Sequence, residues 1–198
     1  MLNILRREVP PNPYRGAVLG LIGGVVGVLA MGQYWLRVAP LLTPKSTGSE
    51  EQEGEEKQPA PDQNIISPLG QQHEPGESST AAMGRIVYQT ITGKTPGKET
   101  RAALSEGVHW GFGILSGALF GVLTTRNSNR PGASPLTGIA FGAALWLLND
   151  EGLISLLGLQ DGPAASPVSG HMNRLGAHAF YGAGLGLSVW LLNRTQSD

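Results

Sequence analysis

Residues 105–125 read SEGVHWGFGILSGALFGVLTT. Glu106 and His109, both at the front of this stretch, are its only titratable side chains. At about 1.5 Å rise per residue, a helical run of this length crosses the roughly 30 Å hydrocarbon core of a bilayer. Glycine returns at 107, 111, 113, 117 and 121, so that the sets 113/117/121 and 107/111 recur every four residues. Such repeats place a flat strip along one side of a helix. Lipid offers no hydrophobic force to pull helices together, so close backbone approach along such strips is what packs a membrane bundle.

Three further segments share this character. The run at 16–39 carries Gly16, Gly20 and Gly24 as one repeat and Gly23 and Gly27 as another. It continues past any clean processing site into Tyr34, Trp35 and Arg37, and therefore reads as an uncleaved anchor. The run at 135–157 opens with Pro135, a favoured first-turn residue, and carries Gly138 and Gly142. The run at 171–192 carries Gly182 and Gly186. Predicted spans at 16–39, 105–125, 135–157 and 171–192 make the chain all-α, a single four-helix transmembrane bundle packed on Gly113, Gly117, Gly121, Gly138, Gly142, Gly182 and Gly186. Gly20–Gly27 lacks the Gly-Lys-Ser/Thr that a phosphate-binding loop requires.

Composition agrees with this reading. Only 15% of the 198 residues are charged, against about 25% in ordinary soluble domains, and 29 are glycine. Between residues 46 and 80 lie eight acids and one base, net −7, while the rest of the chain carries +6 within a total of −1. This acidic insert is rich in Pro, Gly, Ser and Gln and poor in large apolar residues, so 46–80 is expected to be disordered, with Ile65, Ile66 and Leu69 as a small docking point. Residues 81–92 space apolar side chains as a short amphipathic surface helix, which Gly93 and Thr95-Pro96-Gly97 end. Lys98 to Glu106 reads as a second short helical approach to the membrane. The absence of cysteine removes disulfides, thiolate nucleophiles and cysteine metal sites. The dominant charge run is acidic, which argues against nucleic acid as a partner.

Short-loop charge sets the expected orientation. Arg6, Arg7 and Arg15, then Arg126 and Arg130, then Arg194 all fall on one side, so both termini are expected in the cytoplasm and the acidic loop outside. Arg37, Lys45, Lys98 and Arg101 pull the other way.

Ionisable residues at membrane depth are costly unless they face protein or water, which makes them the most informative positions. By helical rise, His109 lies about 6 Å into its span, His178 about 10 Å into its own, and Asp150 and Glu151 about 23 Å into a span entered from the opposite side. All reach the same membrane half. His171, Arg174 and His178 share one helical face, as do Glu106 and His109. A polar cluster of His109, Asp150 or Glu151, Arg174 and His178 is therefore geometrically available. Structural pairing is the leading account of it, followed by proton-sensitive function, a metal site of undetermined ligands, and hydrolysis. No cofactor and no catalytic residue is indicated.

The first span ending in Met31-Gly32, HWGFGILSGALFGV at 109–122, GIAFGAALWLLNDE at 138–151 and GAHAFYG at 176–182 together resemble the YagU-like family of small uncharacterised bacterial inner-membrane proteins. The resemblance implies residence in the bacterial cytoplasmic membrane and supplies no substrate or reaction. The long acidic insert departs from the compact form of that family. The function expected from the sequence is that of a non-enzymatic structural or accessory membrane component. Its partners would be the lipid bilayer and either a second copy or another protein met through the outer acidic loop. The alternative is a small proton- or cation-linked transporter or channel using the His/acid cluster.

Overall fold

A computed structural model describes residues 12–42, 65–125 and 132–194. Four of its helices are long and apolar enough to cross a membrane, as in a multi-pass membrane protein. They are α1 (Pro13–Leu42), α3 (Lys98–Thr125), α4 (Pro135–Leu156) and α5 (Val168–Arg194). A shorter helix, α2 (Ser79–Thr92), precedes α3. Ser78 caps the start of α2 by accepting from the Ala81 amide, and Gly93 ends it with a left-handed φ of 67°. At the start of α4, Ser134 and Thr137 form a reciprocal capping box.

The four long helices run antiparallel in sequence, which brings Pro13 and Arg194 to one end of the bundle. α1 lies between α3 and α5, and α4 packs on α5 and reaches α3 through Phe141. The two glycine repeats of α1 serve different neighbours. A Cβ at Gly24 would lie 2.9 Å from the Gly113 carbonyl oxygen of α3, and one at Gly27 would lie 2.7 Å from the Tyr181 ring of α5. Gly16 and Gly20 likewise meet Gly121 and Gly117. Gly138 and Gly142 interlock with Gly182, Gly186 and the backbone of His178. These seams have no room for a methyl group. Tyr181 ties the centre by donating from Oη to the Gly113 carbonyl at 2.6 Å. Leu185, Val189, Phe120 and Leu19 fill the buried core beside the seams, and the Phe120 and Phe141 rings meet at 5.2 Å. Outward side chains such as Val18, Leu29, Leu115 and Leu147 are exposed and apolar, as a lipid-facing surface requires.

The second glycine set of α3 departs from expectation. Gly107 and Gly111 have nothing within 4 Å of an added Cβ, because they sit two residues, about 200° of helical turn, off the 113/117/121 strip and face away from the seam. The Lys98 to Glu106 approach is not a separate helix but the first turns of α3. The spans read from sequence otherwise fall within, or within a residue of, the observed helices. Two helices also change pitch. Residues Tyr34–Val38 of α1 and Trp146–Leu153 of α4 are π-helical. The Trp146 indole nitrogen is buried there without a hydrogen-bond partner.

The insert also divides. Residues 46–64 lie outside the described residues, as do Arg6, Arg7, Arg126 and Arg130, on which the orientation reading rests. Residues 65–80 are built into the fold, contrary to the expectation of disorder across 46–80. The Gly158 carbonyl accepts from the Gln72 and His73 amides at 2.8 and 3.2 Å and from His73 Nδ1 at 2.9 Å. Ser67 Oγ donates to the Leu156 carbonyl at 2.8 Å. Gly158 sits at φ 73° against the backbone of Gly70, an approach closed to any side chain. Backbone hydrogen bonds here replace the apolar core that the composition lacks. Above them Ala82, Met83 and Ile86 of α2 pack on Ile154 and Leu159. Together, 65–92 and 157–167 cap one end of the bundle.

Candidate functional site

The polar site lies beneath that cap, between the π-helical part of α4 and the first turns of α5. His171, Arg174 and His178 stand at i, i+3 and i+7 on α5 and face α4. Asp150 and Glu151 are chain neighbours, and an α-helix would turn them about 100° apart. The wider π turn lets both face α5.

Glu151, whose side chain is 9% exposed, lies 2.7 Å from His171 Nδ1 and 3.4 Å from Arg174 Nη2. His171 Nε2 lies 3.0 Å from the Pro163 carbonyl. Both imidazole nitrogens therefore face oxygen atoms. A carbonyl only accepts, so Nε2 donates to it, and Nδ1 faces the Glu151 carboxyl group. Arg174 Nη2 also stands 3.3 Å from His171 Nδ1, and its Nε is buried without a partner.

Asp150 is held more loosely. Asn149 Nδ2 donates to Oδ1 at 3.0 Å, while His178 Nε2 stands 3.6 Å from Oδ2, beyond hydrogen-bond distance. His178 Nδ1 donates to the Arg174 carbonyl at 2.9 Å. Gln160 donates from Nε2 to the Asp150 carbonyl and, at 3.2 Å, to Ser155 Oγ, which fixes the loop after α4 to the π segment.

Asp150, Arg174, His178 and His109 line one cavity of about 330 Å³ that reaches all four long helices and α2. His109 enters from α3 without an ion pair to the described residues. Glu106, one turn earlier, is exposed and lies outside the cavity. Four of the five residues singled out in sequence thus border one space, with Glu151 outside its lining, and the charges form two groups rather than one network: Glu151 with His171 and Arg174, and Asp150 facing His178. Sequence reading placed His171 on the correct face and left it out of the cluster. Its signal was the i, i+3 spacing to Arg174. Asn149 and Gln160 carry no such signal, because their roles depend on the π turn and on the loop fold.

A second, open polar groove of about 680 Å³ lies in the cap, bordered by His73, Glu74, Arg101, Asp161 and Arg174. Arg174 therefore stands between groove and cavity. Beside the groove Arg85 grips Glu77 through Nε at 2.9 Å and Nη2 at 2.8 Å, and Nη2 also donates to the Gln72 carbonyl at 2.7 Å. The two side chains are 9% and 6% exposed. Burial works to raise the Glu77 carboxyl, but hydrogen bonds from Arg85 and the Glu74 amide, with the nearby guanidinium charge, hold it below its ordinary range. The Glu74 carboxyl is held down mainly by its hydrogen bond from Arg101, at 2.5 Å. Among the described residues, no three His, Asp or Glu side chains converge as a metal-ligand set. Neither a family model, nor a curated protein, nor a solved structure matches this chain.

Proposed function

We propose that this chain is a non-enzymatic accessory component of the bacterial cytoplasmic membrane, with the capped end outside and the ends at Pro13 and Arg194 in the cytoplasm. The observation that carries this reading is the contrast along the bundle axis. Polar side chains near the cap are largely committed to one another, while towards Gly16, Gly121, Gly138 and Gly186 the helices close on backbone contact. That arrangement supports a rigid platform presenting its cap. The membrane assignment draws on the resemblance to YagU-like proteins, and the orientation on the short-loop arginines. Cysteine at Ser46 or Ser128, introduced singly into this cysteine-free chain, tests the topology. An impermeant reagent should label position 46 and not 128 in intact cells, and the reverse pattern overturns the orientation.

A second reading, proton- or cation-linked transport, is favoured by one observation, the 2.7 Å approach of His171 Nδ1 to the Glu151 carboxyl group. Proteoliposomes holding the full chain and a pH-sensitive dye separate the two. The accessory reading expects no proton flux above protein-free vesicles. Flux that Glu151→Gln abolishes would replace it with transport.

A further inference from the structure

The cavity beneath the cap has an apolar wall, a polar roof and a side opening. Phe112 on α3 and Leu153 on α4 both line it, yet they are 44% and 51% exposed. An apolar chain can therefore enter from the bilayer without crossing the cap. Leu145, Met31 and Val28 lie further in.

The roof offers acceptors. The carbonyl of Arg174 occupies the hydrogen on His178 Nδ1, so a neutral His178 turns the bare lone pair of Nε2 towards Asp150 Oδ2, 3.6 Å away. Two acceptors then face each other across a gap too wide for a direct bond, at a partly buried carboxylate. Arg174 does not neutralise Asp150, because its guanidinium lies with Glu151. Asp150, 22% exposed, then has the Asn149 amide as its side-chain donor, and a cation able to donate hydrogen to both Oδ2 and Nε2 would complete this largely buried site. A primary ammonium does this. With three donors it can sit off the line between the two atoms, about 2.9 Å from each.

We propose that this cavity binds a single-chain amphiphile with a primary ammonium head group, the head held by Asp150 and His178 and the chain passing out between Phe112 and Leu153. A quaternary ammonium has the charge but no hydrogen to give, a fatty alcohol has a hydrogen but no charge, and a carboxylate has the wrong sign. The four head groups on one chain therefore read the site directly.

The full chain in a nonionic detergent is unfolded thermally with dodecylamine, dodecyltrimethylammonium, dodecanol or dodecanoate, each below its own micellar concentration. Dodecylamine is expected to raise Tm by about 3 °C or more, as selective binding to the folded state does, and the other three by clearly less. Asp150→Asn and the mouth-blocking Leu153→Trp should each remove that rise, whereas Glu106→Gln, outside the cavity, should keep it. A chain-brominated dodecylamine should also quench tryptophan fluorescence through Trp35 on the cavity wall, a readout on the native protein that stands even where Asp150→Asn fails to fold. No rise with dodecylamine, or equal rises with all four amphiphiles, overturns the proposal. A larger rise with dodecanoate that Arg174→Gln removes overturns it in favour of an anion site at the unpartnered Arg174 Nε.

Discussion

From Gly16 to Gly24 α1 and α3 touch through backbone, whereas around Glu151, more than two turns beyond Gly142, the last α4 seam glycine, the helices touch through charge. The first region has given up side chains to gain proximity, and so has nothing left with which to bind. The second keeps its side chains, and several of them border the cavity. Gly107 and Gly111 show the contrast on one helix: they repeat at the same four-residue spacing on another face of α3, where nothing approaches them. A glycine repeat is therefore permission for close packing and not a record of it. What decides is whether the facing helix is also small, as Gly16, Gly20 and Gly24 are opposite Gly121, Gly117 and Gly113.

The hardest break of this comparison is Gly121→Leu. Its side chain would drive into the backbone of Gly16 and Gly20, where no flexible group can yield. Overpacking of this kind costs about 3 kcal/mol or more, and loss of the monodisperse folded protein on size exclusion is the expected outcome. Gly111→Ala, on the same helix and at the same kind of repeat position, should leave Tm unchanged or slightly raised, since alanine gains up to about 1 kcal/mol over glycine in a helix. Equal damage from both would erase the distinction between the two regions.

Next in size is Glu151→Ala, which leaves Arg174 and His171 without their shared acceptor. Breaking a buried pair from one side costs about 3–5 kcal/mol, here softened because Arg174 borders the open groove. The fall in Tm should clearly exceed that of Glu106→Gln at the exposed start of α3. A matching small effect from both would demote the polar region to ordinary surface.

These two regions were unequally legible in the sequence. Spans and seams follow from hydropathy and from a four-residue repeat, both of which are local patterns. The face carrying His171, Arg174 and His178 was readable for the same reason. The pairing of Asp150 with His178 and of Glu151 with His171 was not, because it depends on the π turn at Trp146–Leu153, a hydrogen-bond shift with no composition of its own. The cap was misjudged for a different reason. Its 65–80 segment has few large apolar residues, and composition counts only those, yet its order comes from backbone amides converging on the Gly158 carbonyl and from the buried Arg85–Glu77 pair.

That pair sharpens the comparison at a third level, since the cap should open without the bundle. Arg85→Ala removes the two-pronged grip on Glu77 and the bond to the Gln72 carbonyl. Hydrogen bonds to charged groups contribute about 1.5–3 kcal/mol each, and the buried Glu77 is left unsatisfied as well. Hydrogen exchange should quicken across α2 and 65–78 while the amides of α1 and α5 keep their protection. Quickening that spreads equally through the bundle would show that the cap and the seams unfold as one unit.

The gentlest test uses protons in place of a mutation. Glu77 and Glu74 carry carboxyl groups held below their ordinary value of 4.5 in the folded cap. A depressed carboxyl contributes stability that is fully present above its unfolded value and is lost as pH falls through the folded one. The cap should accordingly stay closed from pH 7 to 5 and loosen only below about 4.5, the direction opposite to that of a group held by being protonated. A spin label at Val87→Cys, an exposed position on α2, reports this through its line shape without disturbing the Arg85 side of the helix. The spectrum should sharpen below pH 4.5 while the thermal transition of the bundle, read by tryptophan fluorescence, moves less. Glu77→Gln should show a more mobile label at neutral pH and a flatter profile on acidification, because the carboxyl that carries most of the hold is already gone. A cap that instead loosens between pH 5 and 8 would assign the hold to a protonated partner, and the acidic residues of the ordered insert would lose their part in closing this end of the bundle.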